Sequence, residues 1–354
     1  MNRGVPGLRE DGADRTLDTA QLQAWLVAHV AGYAGPVSVH QFAGGQSNPT
    51  YLLQSPGRRY VLRRKPCGKL LPSAHAIERE FRVLQALRGS DVPVAAPVAL
   101  CEDPAVIGSA FYVMDYVGGR IFWDASLREA APRERRAIYL EMVRVQAALH
   151  ALDYRAIGLG DYGRSSGYIQ RQVSRWTQQY RASETEKVEA FDNLIAWLPH
   201  HIPVNDQAAI VHGDFRLDNA VFHPAEPRIL AVIDWELSTI GNPLVDFAYL
   251  CMRHHLPACD FHGLAGLDLA ALGLPLEADC IAEYCRLRGL EPVAARDWAY
   301  YMAFSMFRLA AILQGVLVRA LQGNAASAQA LEAGHRARPL AALAWDLISN
   351  SFGT

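Results

Sequence analysis

Two aspartates and an asparagine are clustered in the stretch HGDFRLDNAVFHPAEPRILAVIDWE, residues 212–236. Asp214 lies five residues before Asn219, and Asp234 ends the apolar run RILAVID. A carboxylate in a turn after a strand can accept the proton of a hydroxyl nucleophile, and a second carboxylate with an amide oxygen can bind Mg²⁺. These groups are the minimum for phosphoryl transfer, in which a protein mainly positions groups and neutralises charge.

The spacing of these residues carries more weight than the His-Gly-Asp tripeptide, which suits any tight turn. Protein-kinase catalytic loops have the form H-R-D-L-x-x-x-N, with the aspartate as base and the asparagine as metal ligand. HGDFRLDN has the same His, Asp and Asn offsets, and DWE stands in the place of the kinase D-F-G. The stretch therefore favours a kinase-type catalytic centre.

The composition limits the class of protein. The chain has 354 residues, enough for one large two-lobed domain or two ordinary ones, and 51% of them are hydrophobic while 20% are charged. These values are typical of a soluble globular protein with a sizeable core. Because the formal net charge is −2, bulk electrostatics favour neither nucleic acid nor an anionic membrane as a partner.

Cysteine usage and the N-terminal residues predict a cytoplasmic location. None of the six cysteines forms a C-x-x-C pair, so we expect a reduced chain without a zinc site or redox pair. The N-terminal MNRGVPGLREDGADRT lacks the apolar run of a signal peptide, and no run of about twenty apolar residues predicts a membrane span. No pattern in the sequence indicates an oligomeric state.

Periodicity predicts a small sheet in the first third of the chain. Residues 18–30 have helical spacing, whereas VSVHQFA, TYLLQS and RYVLRR are short, β-rich and separated by turn residues, which predicts three antiparallel strands. SAHAIEREFRVLQALRG predicts a helix with Ser73 as N-cap and Gly89 just past its end. APVALCED and AFYVMDYV predict two further strands.

Helical patterns dominate after the Gly-Gly pair at residues 118–119. PRERRAIYLEMVRVQAALHAL is a strongly amphipathic segment with Pro132 suited to its first turn, and further long helices are expected over residues 292–322 and 326–349. The predicted fold class is α+β. The predicted division is a disordered tail (1–15), a small lobe (16–117) and a helical lobe (118–354).

HGD-x-x-x-x-N, IDWE and GNPLVDFAYL together resemble the aminoglycoside phosphotransferase-like (APH) kinases, a branch of the protein-kinase-like fold. The resemblance covers nearly all of the chain after about the first fifteen residues. KLLPSAHAIEREFRVLQAL is similar to a subgroup related to kinase-like domains that are fused to acyl-CoA dehydrogenases, and chains of this subgroup often carry the dehydrogenase label. The resemblance implies two lobes: an antiparallel-sheet lobe with one helix that binds nucleotide, and a mostly helical lobe with the catalytic loop and acceptor site.

The resemblance also implies roles for the residues that match the motif. Asp214 corresponds to the catalytic base, and Asn219 and Asp234 correspond to the Mg²⁺ ligands of an ATP-dependent enzyme. Arg216 stands where protein kinases place a lysine directed at the transferring phosphate. Asp246 matches an aspartate that braces the loop. The loop histidine, His212, is expected to be buried and hydrogen-bonded rather than to act as an acid or base.

The small lobe carries features of a nucleotide clamp. FAGGQSNPTYLL lies between the first two strands, and its glycines allow the backbone to approach phosphates closely. A Gly-Gly hairpin alone is a weak signal, but here two strands and a helix follow it in the order of a kinase lobe. The candidate nucleotide-binding residues of this loop are Gly44, Gly45, Gln46, Ser47 and Asn48.

The third strand and the next helix predict the cation–glutamate pair of kinases. The family usually has a lysine on this strand, whereas YVLRRKP offers two arginines. Strand alternation places Arg63 and Arg64 on opposite faces, and we assign Arg63 to the phosphates and Arg64 to solvent. Lys65 stays open as an alternative phosphate contact. Glu80 is preferred, from the family's ERE pattern, to the glutamate two positions earlier.

FYVMDYVGG resembles the hinge of a kinase-like lobe. The resemblance implies that backbone groups of Asp115, Tyr116 and Val117 bind the purine and that Met114 gates the pocket. A core strand with no ligand contact would show the same pattern. The sequence does not distinguish ATP from GTP.

The acceptor is the least determined part of the prediction. An aminoglycoside site needs clustered acidic residues, whereas GYIQRQVSRWTQQYRAS has aromatic residues on one helical stripe and Arg171 and Arg175 on another. Either these aromatics are core and the arginines are solvated, or the segment contacts an amphipathic acceptor with an anionic portion. The subgroup resemblance implies a hydroxyacyl-CoA or a related hydroxy acid as the small-molecule hydroxyl acceptor.

Three alternatives stay open. One is a choline, sugar or aminoglycoside-type small-molecule kinase. A second is a catalytically inactive nucleotide-binding module, although all three motif residues (Asp214, Asn219 and Asp234) are present. The third is an acyl-CoA dehydrogenase, for which the sequence shows no flavin-binding features.

Overall fold

The computed structural model describes residues 8, 17–42, 48–66, 76–204, 207–322 and 328–353. The strands are β1 (Ser38–Gln41), β2 (Thr50–Ser55), β3 (Arg58–Arg64), β4 (Pro97–Cys101), β5 (Phe111–Asp115), β6 (Ala209–Val211), β7 (Ala220–Phe222), β8 (Ile229–Val232) and β9 (Thr239–Gly241). The helices are α1 (Thr19–His29), α2 (Ile77–Leu87), α3 (Pro132–Ala151), α4 (Tyr168–Ala182), α5 (Glu189–Trp197), α6 (Pro243–Cys251), α7 (Ala258–Phe261), α8 (Leu269–Leu272), α9 (Glu277–Arg288), α10 (Ala295–Leu321), α11 (Ala328–His335) and α12 (Ala337–Phe352).

The chain forms two compact units. Unit 1 contains Met1–Ile121, Ile157–Leu159 and Asn219–Leu237, and unit 2 contains Phe122–Ala156, Gly160–Asp218 and Ser238–Thr354. Asn219 and Asp234, two of the three motif residues, therefore belong to unit 1, and Asp214 belongs to unit 2.

Unit 1 is built on an antiparallel sheet with the strand order β1-β2-β3-β5-β4. One face of the sheet packs on α1, whose buried Leu22 and Leu26 join Leu53, Leu62 and Val113 in a single apolar core. Asp18 caps α1 by accepting hydrogen bonds from the first-turn N–H groups. The five predicted strands and the helix inserted after the third are confirmed.

The helix α2 begins at Ile77 with Ala76 as the N-cap residue. Ser73, the predicted N-cap, lies outside the described residues. The predicted end is confirmed, because Gly89 follows the helix with a φ of +80°, a conformation that glycine adopts without strain. Glu80 projects from the buried face of this helix and is only 2% exposed.

The hairpin of β7 and β8 belongs to unit 1, where Val94 bridges to Val232 and Arg120 bridges to Phe222. Glycine is required at position 119, where the backbone passes close to Phe222, because a Cβ there would lie 2.1 Å from the Phe222 carbonyl oxygen. This packing holds the segment between Asn219 and Asp234 against the sheet-bearing unit.

Unit 2 is mostly helical, with β6 and β9 forming a short antiparallel pair. Helix α3 begins at the predicted Pro132. The predicted single helix over residues 326–349 is instead two helices, α11 and α12, which are separated at Arg336.

The core helix of unit 2 is α10, which contacts α4, α6, α11 and α12. By length and composition alone α10 is apolar enough to cross a membrane, which the sequence analysis did not anticipate, but about two-thirds of its most apolar window is buried inside the protein. A helix that is apolar on most sides and buried is expected at the centre of a large helical unit.

Candidate active site

The cation of unit 1 is Arg63, on β3. Its side chain is almost fully buried, with Nε 3.1 Å from Glu80 Oε2 and Nη2 donating to Asp234 Oδ1 at 2.9 Å. Nη2 also lies 3.6 Å from Glu236 Oε2. The predicted pairing of Arg63 with Glu80 is therefore present in the structure, and two further carboxylates share the same guanidinium.

Glu80 is fixed by two neutral donors as well as by Arg63. The Asn48 amide donates to Oε1 at 2.8 Å, and the Tyr112 hydroxyl donates to Oε2 at 3.0 Å. Burial alone would lower the pKa of Arg63, but Glu80, Tyr112 and Asp234 together raise it, so the guanidinium stays charged. Asn48, a predicted nucleotide contact, thus supports the ion pair; Gly44, Gly45, Gln46 and Ser47 lie outside the described residues.

Arg64 and Lys65, at the end of β3, both bind partners within the protein. Arg64, expected in solvent, is only 5% exposed and donates from Nη1 to the Ile107 carbonyl at 3.3 Å. That expectation was wrong, because the second face of this central strand is also covered by protein. Lys65, the alternative phosphate contact, pairs with Glu78 at 2.9 Å. The geometry favours Arg63 as the cation beside Asp234.

Asp234 has a φ of +67°, which is unusual for a residue other than glycine. The Trp235 indole N–H donates to the Val232 carbonyl at 3.0 Å, and the Ile233 N–H donates to the Asn219 carbonyl at 2.9 Å, so the turn is held on both sides. Strained backbone conformations of this kind are concentrated at functional sites.

The residues around Asp234 fit Mg²⁺ by their chemistry. Mg²⁺ takes hard oxygen ligands, commonly one or two carboxylates with substrate phosphates and water. Asp234 and Asn219 supply a carboxylate and an amide oxygen within unit 1, and Glu236 adds a carboxylate that the sequence analysis did not single out. The sequence signal for Glu236 was its place in DWE, two residues after the predicted ligand.

Two of the three predicted hinge residues already use their backbone N–H groups in hydrogen bonds within the protein. The N–H groups of Asp115 and Tyr116 donate to the carbonyls of Ala96 and Arg59, and the Arg59 guanidinium lies 4.4 Å from the centre of the Tyr116 ring. Within the described residues, the N–H of Val117 has no such partner. Val117 is therefore the remaining candidate for a purine contact through a backbone donor.

In unit 2, Asp214 lies in a turn that follows β6. Gly213, just before it, has a φ of +84°. Asp246 of α6 accepts hydrogen bonds from the N–H groups of His212 at 3.0 Å and Gly213 at 2.8 Å. Burial alone would raise the pKa of Asp246, but hydrogen bonds from His150 and from the Gly213 N–H lower it to about 2. Asp246 thus braces the loop as a charged acceptor.

His212 is fully buried, and its Nδ1 lies 3.2 Å from the Asp214 backbone nitrogen as the acceptor of that N–H. This geometry matches the expected role of a packed, hydrogen-bonded histidine. The histidine ring therefore orients the turn through this hydrogen bond.

The Asp214 carboxylate has two polar neighbours. Arg216 Nε lies 3.2 Å from Asp214 Oδ2, and its Nη1 lies 3.3 Å from Asp218 Oδ2. The Tyr249 hydroxyl also hydrogen-bonds to Asp214, and burial raises the pKa of Tyr249, so the hydroxyl keeps its proton and donates. A cation and a neutral donor thus orient the carboxylate that the motif predicts to be the base.

Arg308 is a functional candidate that the sequence analysis missed. It projects from α10, is 6% exposed, and donates from Nη2 to the Gly213 carbonyl at 2.6 Å. Its guanidinium lies 5.7 Å from the Trp176 ring centre and 5.4 Å from the Tyr249 ring centre. The residue Gly213 is therefore held through its N–H by an anion and through its C=O by a cation. A lone charge in the apolar run YYMAFSMFRLAAIL was the available signal.

The aromatic stripe of α4 proves to be core. Tyr168, Trp176 and Tyr180 are all buried, and the Tyr180 ring stacks on Phe191. Arg171 donates to the Ser166 and Arg164 carbonyls, and Arg175 is exposed beside Trp176. These contacts favour the alternative in which the aromatic residues of α4 belong to the core.

The five-stranded antiparallel sheet and the helical unit are those of the APH and choline-kinase-like fold. The model of the phosphotransferase enzyme family, APH, matches residues 38–260. The chain belongs to this family, which confirms the resemblance and the α+β kinase-like fold.

Solved structures agree with this assignment. A candidate aminoglycoside phosphotransferase from Ralstonia eutropha is 56% identical, with a TM-score of 0.86 over 94% of this chain and 99% of its own. A choline kinase from Cryptosporidium parvum is 12% identical, with a TM-score of 0.67 over 94% of this chain and 96% of its own, which shows the fold alone.

Curated relatives carry the acyl-CoA dehydrogenase label that the subgroup resemblance implied. Mouse acyl-CoA dehydrogenase family member 10 is 45% identical over 349 residues, which are 98% of this chain and 32% of the relative. Human acyl-CoA dehydrogenase family member 11 is 40% identical over 356 residues, which are 99% of this chain and 46% of the relative. The chain spans less than half the length of these relatives.

Proposed function

We propose that this phosphotransferase moves the γ-phosphate of ATP to a hydroxyl of a small molecule. Asp214 is the catalytic base, and Arg216 stabilises charge on the transferring group. Asn219 and Asp234 hold Mg²⁺, which when bound neutralises phosphate charge. The observation that carries the proposal is the left-handed Asp234 beside Arg63, because an acid in that strained conformation has a cation and a glutamate of the kinase type around it.

In the proposed reaction, the acceptor hydroxyl gives its proton to Asp214 as its oxygen forms a bond to the γ-phosphorus. The bond from that phosphorus to the bridging oxygen breaks, and ADP leaves with the bond's electron pair. Arg63 and Val117 serve the nucleotide, through phosphate charge and a backbone donor respectively. The work of the protein is positioning and electrostatic stabilisation.

The proposed acceptor is a hydroxyacyl-CoA or a related hydroxy acid. Support comes from the similarity to acyl-CoA dehydrogenase family members 10 and 11, whereas Arg216 is already paired with Asp214 and Asp218 and sets no charge preference by itself. Choline, sugars and aminoglycosides are the competing acceptors, and an inactive nucleotide-binding module is the competing function. The proposed compartment is the cytoplasm, as expected from the cysteine spacing.

The test is ATP consumption by the purified chain with hydroxyacyl-CoAs, hydroxy acids, choline, sugars and kanamycin as acceptors. We expect turnover with the first two classes only, and a rate on the order of 10²–10⁴ lower for Asp214→Asn with Mg-ATP binding retained. Near-normal turnover in Asp214→Asn would refute the assignment of the base. Phosphorylation of kanamycin without any response to an acyl-CoA would overturn the acceptor class.

A further inference from the structure

A cavity in unit 2 lies directly beside the partners of Asp214. It has a volume of about 160 Å³, far above the roughly 15 Å³ that one water molecule needs. Arg216 and Tyr249, which both contact the Asp214 carboxylate, form part of its wall. A small molecule in this cavity would touch the same two side chains that orient the candidate base.

The wall of the cavity combines arginines with apolar side chains. Arg253 and Arg336 join Arg216, and apolar residues such as Leu256, Phe261 and Leu309 complete the wall. Among the described residues, none that forms this wall is acidic. A polycationic ligand would therefore meet three guanidinium groups and no compensating carboxylate in the cavity itself.

The three arginines differ in how far their charge is already balanced. Arg216 lies between Asp214 and Asp218. Arg253 donates from Nη1 to the Phe261 carbonyl at 2.8 Å, and no carboxylate lies within 4.0 Å of it among the described side chains. Arg336 pairs with Glu332, whose side chain is 73% exposed, so that pair is weak and screened by solvent.

We propose that this cavity binds the acceptor, and that it selects an amphipathic molecule by pairing its anionic group with Arg253 and Arg336. The apolar segment of the acceptor packs on Leu256, Phe261 and Leu309, and its hydroxyl points to Asp214. The anionic group is a carboxylate or a phosphate, since a guanidinium binds both in the same bidentate manner. This inference rests on the proposed function for the role of the bound molecule, but not for the binding itself.

The arginines of this cavity differ from the two on α4 that the sequence suggested for an anionic acceptor. Arg336 lies at the break between α11 and α12, where a continuous helix had been predicted. Arg253 lies in the short turn of 3₁₀ helix that follows α6. Arg171 and Arg175 do not line the cavity.

The experiment measures binding of simple probes by calorimetry, without nucleotide. Hexanoate and hexyl phosphate carry an anion on an apolar chain, hexanol has no charge, and hexylamine carries a cation. We expect the wild-type chain to bind both anions, or one of them, at least tenfold more tightly than hexanol, and to bind hexylamine least. The ranking of the two anions distinguishes a carboxylate from a phosphate as the recognised group.

The variant Arg336→Met should weaken binding of the preferred anion about tenfold, as for loss of one charge-assisted hydrogen bond, and leave hexanol unchanged. Arg253→Met is a second, independent variant, and it should also weaken binding of the preferred anion. Arg338→Met is the matched control, because Arg338 is on α12 with a 73% exposed side chain and does not line the cavity. The control should bind the anion within about twofold of wild type.

Three outcomes would overturn the inference: no binding of either anion, equal binding of hexanol and the anions, or unchanged anion affinity in both arginine variants. Mg-ATP binding is titrated on the same samples. Loss of Mg-ATP binding and turnover with intact anion binding would overturn the proposed function but not the anion site. Normal phosphoryl transfer with no anion preference would overturn the anion site but not the proposed function.

Discussion

Arg63 and Arg64 are neighbours on β3, yet their side chains meet different groups. Arg63 contacts Glu80, Asp234 and Glu236, whereas Arg64 is buried beside the Ile107 carbonyl on the other face. Because both side chains are buried, burial does not show which of them is the candidate phosphate contact. The carboxylates around Arg63 favour Arg63, because a buried guanidinium with several acidic partners can exchange one of them for a phosphate.

We expect Arg63→Lys to raise the ATP concentration needed for half-maximal rate, because lysine keeps the charge but loses the bidentate contact. Arg64→Lys is the matched control and should lower the unfolding free energy by about 1 kcal/mol, since it loses the hydrogen bond to Ile107. Its ATP requirement should stay unchanged. Initial-rate kinetics and urea unfolding are measured on both variants. A larger rise in the ATP requirement for Arg64→Lys than for Arg63→Lys would show that Arg64 is the cation that contacts the phosphates.

Asp246 allows a prediction about pH. Its pKa is about 2 in the folded chain and 3.8 in the unfolded one, so the ionised carboxylate stabilises the folded state at pH values above 3.8. That contribution is lost as the pH falls from about 4 to about 2, because the unfolded state binds the proton first. The difference of roughly two pKa units corresponds to about 2 kcal/mol.

Asp246→Asn should remove this part of the pH dependence. The variant should be less stable than wild type at pH 7, and the gap in unfolding free energy should narrow by about 2 kcal/mol between pH 5 and pH 2. Denaturant unfolding over a pH series measures the gap. A gap that stays constant over this range would show that Asp246 is not the titrating group.

At the scale of elements, α10 both forms the core of unit 2 and contacts the loop that carries the candidate base. Its burial places Arg308 at the Gly213 carbonyl, while α6 places Asp246 at the Gly213 N–H. Two helices thus hold the two peptide groups on either side of the Gly213 Cα, one through a negative and one through a positive charge. Asp214 follows Gly213 directly, so a shift of either helix would move the candidate base.

Arg308→Met should lower kcat by tenfold or more with little change in the ATP requirement, because it loosens the loop that carries Asp214 without touching unit 1. Arg308→Lys should recover part of the rate, since lysine can still donate to the carbonyl. Arg319→Met, an exposed position on the same helix, is the control and should behave as wild type. If both Arg308 variants lose the same amount of stability and keep the wild-type kcat, Arg308 contributes to packing but does not position Asp214.

At the scale of the whole molecule, the two units carry different parts of the proposed reaction. Unit 1 contains Arg63, Glu80, Asn219 and Asp234, and unit 2 contains Asp214 and the arginine-lined cavity. Nucleotide binding and acceptor binding are therefore expected to be separable by mutation. A ligand that binds only the folded chain stabilises it by mass action, which gives a readout independent of turnover.

Mg-ATP at about 100 times its Kd should stabilise the folded chain by about 2.7 kcal/mol. Removing Mg²⁺ with a chelator, or making Asp234→Ala, should abolish most of this gain, because the carboxylate supplies a full negative charge to the ion. Asn219→Ala should have the smaller effect. Thermal unfolding with and without ligand is the measurement, and full stabilisation of Asp234→Ala by Mg-ATP would refute its role as a ligand.

The sequence by itself determined the order of the elements and the position of the catalytic motif. Strand and helix periods are local properties, so the sheet around Arg63 and the helix bearing Glu80 could be predicted from spacing and side-chain types. The offsets of Asp214, Asn219 and Asp234 are also local. These features required no knowledge of which distant segments meet.

Only the tertiary structure decided which distant residues complete each site. Arg63 meets Asp234 across 171 positions of chain, and Arg308 meets Gly213 across 95. The burial of Arg64 and the arginines of the cavity, Arg253 and Arg336, depend in the same way on packing between separate elements. Periodicity reports the face on which a side chain lies but not the partner that covers that face, because the partner is chosen by the packing of the whole unit.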